Sequence, residues 1–174
     1  ADQNKELLNQ GFQLAEQEFK KAILKNPLDF RLYLFLGRHY NNFYQFTGDE
    51  EKLVLAKEVL ERAVELSPNN QQVYFIFAQT LFLQGQQEKA LEFLQKAKDL
   101  EPRFAGSGWY LVRGYRMTGK YELALSELKE LENLGFDWQG NIETLKEGIE
   151  ILKETGEDIN LLIPLYEKGI ELDP

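Results

Sequence analysis

The chain has 174 residues, of which 43% are hydrophobic and 28% charged, and it contains no cysteine. That size and balance suit one soluble domain with a packed core, and the missing cysteines exclude disulfides, thiolate metal ligands and a cysteine nucleophile. Net charge is −9, and the excess is local: residues 127–174 hold 13 acids against 4 bases, while residues 1–126 hold 16 of each. Basic surfaces are what polyanions and anionic bilayers bind, so this balance argues against nucleic acid and against a charged membrane surface as partners. The longest apolar runs, such as LYLFLG and YFIFA, fall far short of the roughly 20 residues of a spanning helix, so no membrane insertion by this segment is expected.

In chain order, the apolar spacing first predicts a helix over Gln3–Lys25, with Ala15, Phe19 and Ala22 on one stripe and Asn26-Pro27 as its stop. A second stripe follows in Tyr33, Leu36, Gly37 and Tyr40, then a turn at Gly48, then Ala56, Leu60 and Ala63, closed by Ser67-Pro68. The same order returns in Tyr74, Phe77, Ala78 and Leu81, Gly85, then Ala90, Leu94, Ala97 and Pro102. It returns again in Trp109, Leu111, Val112 and Tyr115, Gly119, then Ala124, Leu128, Leu131 and Phe136. The last stretch keeps the spacing with degraded residues: a longer leading loop, GFDWQGN, a turn at Thr155-Gly156, and Leu162, Tyr166, Gly169 and Pro174. Pro164 is tolerable if this last helix begins near Ile159 or Asn160, because the first N–H groups of a helix have no helical partner.

Each unit is therefore helix, glycine turn, helix and stop. The spacings of four and three residues put the small–large–small triplets on one stripe, where alanine allows close approach of two helix axes and leucine fills between them. A hairpin of this kind buries its face only against the next one, which is why the pattern recurs. Asp49-Glu50-Glu51 reads as the acidic start of a helix, with Thr47 and Glu50 at capping-box spacing.

Tyr74, Phe77-Ala78, Leu81, Ala90, Leu94, Ala97 and Pro102 fill the signature positions of the tetratricopeptide repeat family, and the 34-residue interval from Pro68 to Pro102 is its period; the chain closely resembles that family. The resemblance implies an all-α, right-handed α-solenoid: a half repeat at 1–27, a lengthened repeat at 28–68, repeats at 69–102 and 103–136, and a divergent repeat at 137–174, forming a single domain. Pro27 to Pro68 exceeds the period by seven residues, so each helix of that hairpin gains about one turn and the tip NNFYQFTGDEEK is expected to project. Apolar residues at both ends (Leu7, Leu8, Phe12 and Ile23; Leu161, Leu162, Ile163, Leu165, Ile170 and Leu172) exceed what one neighbour covers, and we read the chain as a segment of a longer protein, of bacterial type.

Chemistry is sparse. His39 is the sole histidine and lacks a motif that would make it a base; Glu143, Glu147, Glu150 and Glu154 line one helix as a solvated acidic stripe. No catalytic residue, cofactor or metal site is assigned. What the family resemblance implies instead is a groove lined by the first helix of each hairpin: Arg31, Leu34, Arg38 and Asn42, then Phe75, Gln79 and Phe82, then Trp109, Tyr110, Arg113 and Arg116, with Phe35, Ile76 and Met117 beside them and Glu143, Glu147 and Glu150 from the fourth hairpin. Aromatic rings would supply binding energy and arginines would select carboxylates. Of the positions where chaperone-adaptor members hold a C-terminal carboxylate (Leu34, Arg38, Ile76, Gly106 and Tyr110), only Arg38 has a suitable side chain, which argues against that specialisation.

The expected function is a non-enzymatic module that holds a partner peptide or protein segment in this groove. Two rival expectations stand beside it. NPLDFRLYLFLGRHYN and GFDWQGN are similar to tetratricopeptide tails that follow O-antigen ligase-like membrane proteins of bacteria, which would make the segment an accessory domain of a larger enzyme or membrane protein with catalysis elsewhere in the chain; the segment is expected to be soluble and cytoplasmic, or on one face of a membrane if it is part of a membrane protein. Alternatively, the apolar terminal helices stack between copies, giving homo-association.

Overall fold

The computed structural model describes residues 2–157 and 159–172, and the described residues form nine α-helices and no strand. They are α1 (Asp2–Lys25), α2 (Phe30–Thr47), α3 (Glu50–Leu66), α4 (Gln71–Leu83), α5 (Gln87–Leu100), α6 (Ala105–Met117), α7 (Tyr121–Asn133), α8 (Ile142–Glu154) and α9 (Ile159–Leu172). Their contacts gather into two compact units, Ala1–Leu100 and Glu101–Pro174. Asp173-Pro174, where the sequence places the last repeat boundary, lies outside the described residues.

In the first unit α2 pairs with α3, α4 pairs with α5, and α3 and α2 both pack on α4, while α1 rests mainly on α2. The small–large–small triplet of α3 is sealed between its neighbours: Ala56, Leu60 and Ala63 are all 0% exposed. Gly37 is what allows that closeness, since a Cβ there would lie 2.5 Å from Leu60 Cγ. The turn from α2 to α3 closes on Gly48, whose φ of 75° lies in the left-handed region that glycine reaches without steric cost.

The seven extra residues of this hairpin are helical, as expected: α2 has 18 residues and α3 has 17, against 13 and 14 in the next hairpin. The tip does not simply project. Asn41 and Phe43 are buried, because the added turns meet α1 on one side and α4 on the other. Helix starts follow side-chain chemistry. Asp29 caps α2 by accepting from the Arg31 N–H, and Asn70 caps α4 through the Val73 N–H. The cap of α3 is Asp49, which accepts from the Glu51 N–H; Thr47 instead donates to the Phe43 carbonyl, so no capping box forms there.

In the second unit α6 pairs with α7, α7 packs on α8, and α8 packs on α9. Ala124, Leu128 and Leu131 are buried between α6 and α8 as their counterparts are in α3. The leading loop of the divergent repeat contributes Trp138 to the core, only 3% exposed, with its ring against the bare backbone of Gly148 and its Nε1–H donating to Glu132 at 2.6 Å. α9 begins at Ile159 and accommodates Pro164 within it.

Candidate functional site

In the first unit the expected groove residues fall on two neighbouring stripes. Phe35, Arg38 and Asn42 recur at three and four residues along α2, and Phe75, Gln79 and Phe82 recur at four and three along α4, so each set shares one helix face. The two helices are locked beside each other by a polar pair. Thr80 donates its hydroxyl to Asn41 Oδ1 at 2.9 Å, Asn41 Nδ2 reaches the Ile76 carbonyl at 3.5 Å, and both side chains are 0% exposed. Arg38 and Asn42 flank Asn41 along α2, and Phe75 and Gln79 adjoin Ile76 and Thr80 along α4, so the stripes meet around this crossing.

Exposure sorts these residues. Phe35 is 43% exposed, Arg38 and Asn42 are exposed, and Phe75, Gln79 and Phe82 are half-buried. Leu34 is different. At 1% exposure it belongs to the core, because α2 is enclosed by α1, α3 and α4 and little of its circumference is left for a partner. Arg31 is exposed but committed, its guanidinium bidentate on Asp29 at 2.8 and 2.9 Å. Among the described residues Arg38 has no such carboxylate.

The second unit treats its arginines differently. Arg113 Nε meets Glu147 Oε1 at 3.1 Å, and Arg116 reaches Glu150 at 2.7 Å and Glu147 at 3.9 Å, all from α6 to α8. The acidic stripe expected to face solvent is therefore partly spent on neutralising the arginines expected to receive a partner. The reason lies in repeat geometry: first helices of successive hairpins are neighbours, so long side chains on equivalent faces reach each other. Trp109 is half-buried with its ring against Phe136 at 5.5 Å between centroids, and Tyr110 is 46% exposed.

A knot at α1 has no counterpart in the sequence reading. Glu16 accepts from Lys20 at 2.6 Å, from Lys52 of α3 at 3.1 Å and from the Tyr40 hydroxyl at 3.1 Å, with Glu16 and Lys52 only 13% and 15% exposed. Burial pushes the Glu16 carboxyl up, but the Lys20 and Lys52 bonds and the Lys52 charge outweigh it and hold the group below its ordinary value. Burial also pushes the Tyr40 phenol up, reinforced by the Glu16 charge. His39 donates from Nε2 to the Phe12 carbonyl at 2.9 Å, and Phe12 packs its ring on His39, Phe43 and Phe46. Burial lowers the His39 pKa against that bond, so its role is to fasten α1 in the neutral state. The ammonium of Lys52 also lies 4.9 Å from the Phe43 ring centre.

Among the described residues no group of three or more His, Asp or Glu is placed to hold a metal ion, and no helix is long and apolar enough to cross a membrane. The tetratricopeptide repeat family profile matches residues 49–113. Among solved structures the chain is similar to MamA at 20% identity and a TM-score of 0.71, over 97% of this chain and 92% of that one. It is similar to a thermophilic tetratricopeptide repeat protein of Thermus thermophilus at 21% identity and a TM-score of 0.67, over 100% and 92%. A MamA fragment, 41 to the end, from Desulfovibrio magneticus matches at 25% identity and a TM-score of 0.61, over 74% and 70%. No curated protein sequence matches the chain. The fold is the all-α tetratricopeptide solenoid, and residues 49–113 carry the match to the tetratricopeptide repeat family.

Proposed function

We propose that the chain is a non-enzymatic module that holds an extended segment of a partner protein on the α2–α4 face of its first unit. The observation that carries this reading is the pairing of the arginines: Arg38 stands exposed without a carboxylate among the described residues, whereas Arg113 and Arg116 are already paired. A guanidinium on the same helix face as Asn42 and the ring of Phe35 is equipped to receive a carboxylate, peptide amides and an apolar side chain together. Phe75 and Phe82, half-buried, form the apolar floor of that surface. Of the other expected residues, Arg31 is held by Asp29, and Trp109, Tyr110, Arg113 and Arg116 lie on α6 of the second unit.

Selection of peptides from a random library on the purified chain tests this. The expected peptides combine Asp or Glu with a large apolar residue, and Arg38→Glu weakens them at least tenfold, about 1.4 kcal/mol. Phe35→Ala weakens them by a similar factor without lowering the thermal midpoint. Peptides that bind wild type and Arg38→Glu equally, or a library with no enrichment, would refute the reading.

A further inference from the structure

The two helices of the α2–α4 surface carry one sign of charge. Neither contains an Asp or a Glu, and α4 contains no charged residue at all. The other basic side chains of α2 are engaged: Arg31 holds Asp29, and His39 turns to the Phe12 carbonyl of α1. Among the described residues of these two helices, Arg38 is what remains to meet a charge.

Rings stand at measured distances around that cation. α2 and α4 run the same way: α2 ends at the Gly48 turn beside the start of α3, and Gln84, just past the end of α4, donates to the Leu53 carbonyl near that same start. Asn41 and Thr80 mark a common level, since their side chains share a hydrogen bond. From that level, at ~1.5 Å per residue, Phe35 lies about 9 Å back along α2 and Phe82 about 3 Å forward along α4. Arg38 and Gln79 fall between those two levels. With packed helix axes about 8–10 Å apart, the backbones at Phe35 and Phe82 stand roughly 15 Å apart on the diagonal. An extended chain turns every second residue to one face, and four of its steps cover about 13 Å.

We propose, resting on the partner-binding reading of this face, that it recognises a five-residue extended segment of a partner protein. The segment has a carboxylate at its third residue, large apolar side chains at its first and fifth, and no base. Phe35 takes one apolar side chain and Phe82 the other, and Arg38 with the Gln79 amide takes the carboxylate between them. A lysine or arginine in the segment would be brought against Arg38 with no carboxylate on either helix to pair it, so bases are excluded as strongly as the acid is selected.

The test titrates the intact chain into fluorescent peptides of a Gly-Ser frame and follows anisotropy. The reference peptide carries Leu-Ser-Glu-Ser-Leu. Three relatives change one feature each: Leu-Glu-Leu closes the spacing, one leucine becomes serine, or the two inner serines become lysines. Each should bind at least tenfold more weakly than the reference. Arg38→Glu should weaken the reference at least tenfold. Phe35→Ala, on a 43%-exposed residue, should bring the reference down to the one-leucine peptide with the thermal midpoint unchanged. If the relatives bind as tightly as the reference and Arg38→Glu still weakens all of them, the spacing rule is overturned and the α2–α4 surface stands. A reference peptide that fails to bind while library-selected peptides bind overturns the rule alone. Binding indifferent to Arg38→Glu overturns both. Light scattering is run beside it: a dimer that Arg38→Glu dissolves makes a second copy the occupant and overturns the proposal.

Discussion

The hydroxyl of Thr80 and the amide oxygen of Asn41 share a hydrogen bond of 2.9 Å with both side chains wholly out of solvent. A paired polar group in a core adds little net stability, but losing one partner strands the other. Thr80→Val should therefore cost about 1–3 kcal/mol, and Asn41→Leu a similar amount. The double variant should cost less than the sum, since neither orphan then remains. Urea titrations of the four proteins check the cycle, and strict additivity would show the pair to be uncoupled.

Acid should loosen α1 before the rest of the chain, in two stages. His39 has a folded pKa below its ordinary 6.5, so it favours the fold while neutral and begins to lose that contribution as pH falls through the region below 6.5. Glu16 has a folded pKa below 4.5, so its contribution is complete above 4.5 and disappears as pH falls further through the folded value. Glu16→Gln should cost about 1–3 kcal/mol at neutral pH, because Lys52 loses its nearly buried counter-charge, and the difference from wild type should close in acid. Thermal melts of wild type, His39→Phe and Glu16→Gln between pH 3 and 7 measure both stages.

Gly37→Ala adds one methyl where Leu60 Cγ already stands 2.5 Å from the Cβ position. Overpacking of this kind costs about 1–3 kcal/mol. Gly37→Ala combined with Leu60→Val should recover part of the loss, whereas Leu60→Val alone should destabilise. Guanidinium unfolding of the three variants decides it.

Glu147 stands 3.1 Å from Arg113 and 3.9 Å from Arg116, and it is 17% exposed, against 43% for Glu150. Glu150→Gln should be nearly silent, within about 1 kcal/mol, as for exposed ion pairs. Glu147→Gln should cost more and be less sensitive to salt. Stability measured in low and high sodium chloride separates the two.

How far the sequence announced this molecule depends on the range of the interaction. Spacing within a helix, such as Ala56-Leu60-Ala63, is local and periodic, so hairpins, turns and the lengthened second and third helices were all legible. Side chains whose partners lie in another helix were not. Leu34 counts as a surface residue by its place in the repeat, yet three neighbouring helices enclose it. Arg113 and Arg116 are as basic in sequence as Arg38, and only the approach of α8 distinguishes them. Asn41 and Asn42 are adjacent and chemically identical; one is sealed and the other exposed because successive helical residues point about 100° apart.

The fastening of α1 has a consequence for how the molecule opens. Its 24 residues lean mainly on α2, with Lys52 reaching in from α3 and Phe19 and Ile23 packing on the cluster of Leu36, Tyr40 and Ala56. Helices enclosed on two sides unfold only with the body that encloses them, whereas α1 can swing away and leave the α2–α5 packing intact. Its amides should exchange with deuterium ahead of those of α3, and a protease should trim the chain back toward Asn26 and leave a folded remainder. The Glu16–Lys52 pair thus serves as a latch on a detachable flap.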